Sequence, residues 1–135
     1  MGSHRSFKNP GWLEFLAQEG YIGYCFDFCG GTKAPNCLSD MDYEDSTDET
    51  QVSDIDALIE FVKEQPFCDS NNIYLLGGSR GGRDVALAAP EHNDDVAGII
   101  LLYGAVHDEE SIAKATGYTG AVSYTHLTLP TTSRV

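Results

Sequence analysis

Asn72-Ile73-Tyr74-Leu75-Leu76-Gly77-Gly78-Ser79-Arg80-Gly81-Gly82 is the stretch that decides the reading of this chain. Ile73 to Leu76 is apolar or aromatic without alternation, as in a short strand covered on both faces. A glycine-flanked serine follows at once, and a helix is expected from about Gly81 to Ala89, ended by Pro90. A serine at the tip of so sharp a strand-to-helix turn is held in strained backbone geometry, with its Oγ raised above the sheet, and this makes Ser79 the candidate nucleophile. Side chains two residues before and after it would meet neighbouring backbone. Glycine at 77 and 81 is therefore expected as a steric need, and Gly82 lets the helix lie close to the sheet. The helix directs its first amides and positive dipole end at the same place, so the backbone N–H of Arg80 is the expected oxyanion donor.

The flanking sequence repeats the same alternation. Trp12, Phe15 and Leu16 recur at helical spacing before Gly20, a suitable C′ residue. Tyr21 to Phe28 is aromatic and nearly uncharged, which predicts a buried strand. A polar, acidic stretch to about Thr50 predicts a surface loop. Val52, Ile55, Leu58, Ile59 and Val62 then mark one helix face, closed by Pro66, and Val96 to Tyr103 is a further strand without alternation. Helix and strand thus alternate three times, which predicts an α/β fold with a parallel sheet, flanking helices and right-handed crossovers. The pattern stops near residue 121. Residues 1–121 are expected to form the domain and 122–135 a non-native or disordered tail; an edge strand with a disordered terminus is the alternative that its Thr, Tyr and Leu content supports.

The chain has 135 residues and a net charge of −13, which favours solubility and opposes a nucleic-acid partner, since phosphates would be repelled. Its longest apolar run, Val96 to Val106, is too short to cross a bilayer, and a protein without a secretory signal is expected. Cys25, Cys29, Cys37 and Cys68 form no C-x-x-C pair and are expected as reduced thiols in a cytoplasmic protein. Their spacing is unlike a structural zinc site. Asp40-Met41-Asp42-Tyr43-Glu44 begins like a calcium loop, but Asp45 stands where glycine belongs and Gln51 where the bidentate glutamate belongs, so a solvated charge run is expected and no metal or cofactor.

A competing reading takes Gly77 to Gly82 as a phosphate-binding turn in a non-catalytic nucleotide- or partner-binding module, with Asp108 as the ribose acid. Ser79 stands where G-x-G-x-x-G needs its second glycine, and there is no Walker lysine. Asp108, Glu109 or Glu110 with His126 satisfies the order serine, acid, histidine in form only, because too little chain intervenes for further strands. His92 and His107 are expected as solvated loop residues, and His4 precedes the serine.

From about Gly2 to Ala105 these signposts resemble the α/β-hydrolase superfamily, in particular bacterial serine esterases of the cinnamoyl or feruloyl esterase type and serine-aminopeptidase-like hydrolases. Trp12 to Gly20 is similar to the family's first helix, Tyr24-Cys25-Phe26-Asp27-Phe28-Cys29-Gly30-Gly31 to its next strand and turn, and Ile73 to Gly82 to its nucleophile strand and elbow. The resemblance implies a carboxylic-ester hydrolase acting on a small ester or related acyl substrate through an acyl-enzyme at Ser79. It also implies a partial α/β-hydrolase fold without the family's first and last strands. Met1 would occupy the position of the second oxyanion donor. The triad acid and histidine would lie beyond this chain, so the fragment itself is expected to be inactive.

Overall fold

The computed structural model describes residues 11–30, 41–103 and 117–125. The chain divides into two compact units, residues 1–54 and 55–135.

In the first unit, helix α1 (Trp12–Gln18) is closed as its sequence predicts. Gly20 adopts φ 86°, its N–H donates to the Ala17 carbonyl at 3.2 Å, and the Tyr21 N–H donates to the Leu16 carbonyl at 2.8 Å. These are the two bonds of a Schellman motif, and they satisfy carbonyls that the helix end would otherwise leave open. Residues 21–28 depart from the expected buried strand. They form no strand ladder, and Tyr21, Ile22 and Tyr24 are exposed. Apolar content alone does not make a strand: the backbone needs a partner edge, and none pairs with this segment among the described residues. Phe26 and Phe28 instead pack on each other, with ring centroids 4.6 Å apart. Cys25, Cys29 and Cys68 are free thiols, and burial pushes the Cys25 thiol up from its ordinary value. Cys37 lies outside the described residues.

Helix α2 (Asp48–Lys63) starts four residues before the apolar stripe that announced it. A reciprocal pair of side chains fixes that start. The Thr47 N–H donates to Thr50 Oγ1 at 3.0 Å, and the Thr50 N–H donates to Thr47 Oγ1 at 3.3 Å. This satisfies two backbone donors in the manner of a capping box, with threonine in the place of the usual acid. Asp48 and Glu49 in the first turn and Lys63 in the last turn suit the helix dipole.

The second unit is built on a three-stranded parallel sheet, β1 (Ile73–Gly78), β2 (Val96–Leu102) and β3 (Ala121–Thr125), in that spatial order. Helix α3 (Arg80–Ala88) packs on β1 and β2. Leu75 pairs with Ile99 and Gly77 with Leu101; this sheet face lies under α3, and Ile99 and Leu101 are buried there with Val85 and Ala86 of the helix. Tyr74, Leu76 and Gly78 face the other way with Gly98, Ile100 and Leu102. The β3 strand uses residues 122–125 of the segment assigned to a tail on sequence. Ala121-Val122-Ser123-Tyr124-Thr125 is rich in β-branched and aromatic types and pairs with Gly98 to Leu102. Its approach is tied down by side chains that carry no period. The Tyr118 hydroxyl, on a buried ring, donates to the Val96 carbonyl at 2.9 Å. Asn93 Nδ2 donates to the Gly117 carbonyl at 3.1 Å, and Asn93 Oδ1 accepts from the Thr119 N–H at 2.8 Å.

Candidate functional site

Ser79 belongs to a strand and a helix at once. Its N–H donates to the Leu102 carbonyl at 3.0 Å, which continues the β1–β2 ladder by one residue. Its carbonyl accepts from the Gly82 N–H at 3.0 Å and the Arg83 N–H at 3.4 Å, which opens α3. Both sets of bonds can form only if the chain reverses within one residue. Ser79 accordingly adopts φ 52° and ψ −123°, the geometry of the first central residue of a type II′ turn, a position dominated by glycine. A serine side chain there carries strain, which such turns retain where the side chain must project. Ser79 is exposed at the carboxyl end of the parallel strands, where open α/β sheets bind their ligands.

The glycines around it divide into two cases. A Cβ on Gly77 would lie on the Gly81 carbonyl oxygen, 2.5 Å from the Gly81 carbonyl carbon and 2.7 Å from the Gly82 nitrogen. All three are backbone atoms, so nothing can swing aside, and Gly77 is a steric need as its sequence context predicts. Gly81 is not. A Cβ there meets nothing within 4 Å and its φ is ordinary, which corrects the expectation of a collision. The contact is one-sided because the Gly81 backbone itself fills the place of a Gly77 side chain, while its own Cβ direction points outward. Gly82 is buried on α3.

Arg80 is the first residue of α3, and an α-helix supplies no intrahelical acceptor to its first amides. Ser79, Arg80 and the glycines lie at this one turn between β1 and α3. Met1, His4, His107, Asp108, Glu109, Glu110 and His126 lie outside the described residues. Among the described residues, no side chain hydrogen-bonds the Ser79 hydroxyl.

His92 is not the solvated loop residue expected from sequence. Its side chain is only 11% exposed, with Nε2 2.8 Å from Asp56 Oδ1 and Nδ1 3.5 Å from Asp95 Oδ2. Burial follows because it closes a 3₁₀ turn, Ala89–His92, that packs on α3 and β2. Both ring nitrogens are thus engaged with carboxylates and neither is directed to Ser79. Glu60, His92 and Asp95 bring three ligand-type atoms within 4.8 Å of one another. Lys63 already supplies a cation to this cluster, with Nζ 2.7 Å from Asp95 and 3.1 Å from Glu60. The bond to Lys63 holds the Asp95 carboxyl below its ordinary value, and the bonds to Asp95 and Glu60 hold the Lys63 ammonium above its own.

Tyr103 is a feature of the site that the sequence analysis passed over as the end of a strand. It has φ 41°, is exposed, and lays its ring over Gly78: a Cβ on Gly78 would lie 3.2 Å from the Tyr103 hydroxyl and 3.4 Å from Cζ. Apolar runs carry no signal for a left-handed residue at their end, so only the backbone shows it.

The family model described as serine aminopeptidase, S33, matches residues 2–133. A crystal structure of a variant of PytH superposes with a TM-score of 0.51 at 22% identity, covering 70% of this chain and 34% of that one. A crystal structure of a second variant, described as a novel pyrethroid hydrolase, superposes with a TM-score of 0.51 at 21% identity, covering 72% of this chain and 34% of that one. The chain therefore spans about a third of the length of these structures, and at such identity the likeness concerns the fold. No curated protein sequence matches significantly. Among the described residues no helix is long and apolar enough to cross a membrane. With the family model covering nearly the whole sequence and the superposed structures sharing its parallel sheet and flanking helices, the chain belongs to the serine aminopeptidase S33 family of α/β-hydrolases.

Proposed function

We propose that this chain carries the nucleophile half of a serine hydrolase that cleaves small carboxylic esters or related acyl compounds through an acyl-enzyme at Ser79. The observation that carries the reading is the exposed Ser79 at φ 52° and ψ −123°, held between a strand bond and the first bonds of α3. Its Oγ attacks the substrate carbonyl carbon, its proton passes to a histidine base, and the carbonyl oxygen becomes an oxyanion held by the Arg80 N–H. Collapse of the tetrahedral species expels the alcohol, which takes the proton back, and water then releases the acid by the same steps.

Among the described residues no histidine serves as this base, because His92 is held by Asp56 and Asp95, and the reading assigns the base and its acid to residues outside them. The chain alone is accordingly read as catalytically incompetent, since loss of a triad member leaves only slow residual turnover. Incubating the full-length protein with a fluorophosphonate probe tests the assignment. Label on Ser79 that is absent from Ser79→Ala supports it, and an unlabelled wild type sinks it. For the isolated chain, p-nitrophenyl acetate hydrolysis that vanishes in Ser79→Ala would refute the incompetence.

A further inference from the structure

We infer that Tyr103 is a specificity-determining residue, a wall beside Ser79 that limits the bulk of the apolar substrate group seated next to Gly78. The inference rests on the reading of Ser79 as the nucleophile. Among the described residues, Ser79 and Tyr103 are the two non-glycine residues with positive φ. They stand side by side at the carboxyl ends of adjacent parallel strands, joined by the bond from the Ser79 N–H to the carbonyl of Leu102, the residue before Tyr103. Strained residues of this kind collect at ligand sites, where the surrounding structure holds them in place.

The consequence of the Tyr103 backbone follows from strand parity. Leu101 lies on the sheet face under α3 and Leu102 on the opposite face with Gly78. A Tyr103 that continued the strand regularly would return its ring to the α3 face. At φ 41° the ring instead lies over Gly78, on the far face. A side chain at 78 would crowd the phenol at 3.2 to 3.5 Å, so the glycine before the nucleophile is the seat of the ring. Tyr103 is 61% exposed, although it directly follows a strand in which Leu101 is 2% and Leu102 9% exposed. A large, rigid, amphipathic face left open beside a nucleophile is suited to contact the apolar part of a substrate.

The test uses the full-length protein and a series of fluorophosphonates with compact, long and branched alkyl groups, reading labelling rates at Ser79. Adding or removing one methylene's worth of space in an apolar pocket changes discrimination by roughly 10-fold or more. Tyr103→Ala is therefore expected to raise the rate of the branched probe relative to the compact one by at least roughly tenfold, and Tyr103→Phe, which keeps the ring, to leave that ratio within about twofold. Gly78→Ala, which displaces the ring, is expected to change the ratio in wild type and to have no further effect in Tyr103→Ala. An unchanged ratio in Tyr103→Ala, with the compact probe still labelling Ser79, overturns this inference alone. A wild type that the compact probe does not label overturns the nucleophile reading and this inference with it.

Discussion

Gly77 and Gly81 sit symmetrically about Ser79 in the sequence, yet replacing each by alanine is expected to give opposite results. At Gly77 the new methyl would overlap the Gly81 carbonyl and stand 2.7 Å from the Gly82 nitrogen. Overpacking commonly costs about 1 to 3 kcal/mol, the lower figures arising where a neighbouring side chain can rotate away. Here the obstacles are backbone atoms of the first turn of α3, and Ser79 between them is tied to Leu102 on one side and to Gly82 and Arg83 on the other. The upper end applies, so Gly77→Ala should lose about 3 kcal/mol. With an unfolding entropy of about 2.1 cal/mol/K per residue over 135 residues, that loss lowers Tm by about 10 °C. Gly81 is the second residue of α3 with open space at its Cβ, and alanine in a helix is more favourable than glycine by roughly 0.5 to 1 kcal/mol. Gly81→Ala should therefore be neutral or slightly stabilising, and the two variants should differ by roughly 4 kcal/mol. Urea denaturation of wild type and both variants measures this directly. A Gly77→Ala within about 0.5 kcal/mol of wild type, or a Gly81→Ala that falls as far as Gly77→Ala, would refute the reasoning.

The strain at Ser79 can be released without touching its neighbours: Ser79→Gly should be more stable than Ser79→Ala by about 1 kcal/mol, since alanine keeps the Cβ and the positive φ. A higher urea midpoint for the alanine variant would contradict it. Tyr118→Phe keeps the buried ring but deletes the hydrogen bond to the Val96 carbonyl, and a loss of about 1 to 2 kcal/mol is expected in the same assay. The Lys63–Asp95 bond sets a pH window. Asp95 is held below its ordinary value of 3.8, so its contribution is complete above that pH and is lost as the pH falls further; Lys63 is held above 10.5, so its contribution is lost only as the pH rises beyond that value. The stability difference between wild type and Asp95→Asn should thus shrink as the pH falls below the ordinary carboxylate range; a difference that persists unchanged in strong acid would exclude the ionised Asp95 as its source.

Local chemistry made most of the second unit legible in advance. Ile73 to Leu76 and Val96 to Leu102 are continuous apolar runs with one reading in an alternating chain, and glycine beside a serine between strand and helix leaves little choice of turn. Gly20 marked the end of α1 for the same reason: a left-handed position has few tolerable occupants. Where a structure depends on a partner distant in sequence, this legibility ended. The aromatic run 21–28 has strand composition without a neighbouring strand, whereas the mixed polarity of 121–125 conceals a strand that exists because β2 offers it an edge. His92 looked like a loop residue because its carboxylate partners are up to 36 residues away in the chain.

The elbow at Ser79 was therefore determined by sequence, because strand, turn and helix are contiguous and each constrains the next. Which glycine the elbow requires, and where the Tyr103 ring lies, were decided only by tertiary structure. Both depend on the direction in which one backbone presents its Cβ to another, and that direction is set when β1, α3 and β2 pack together.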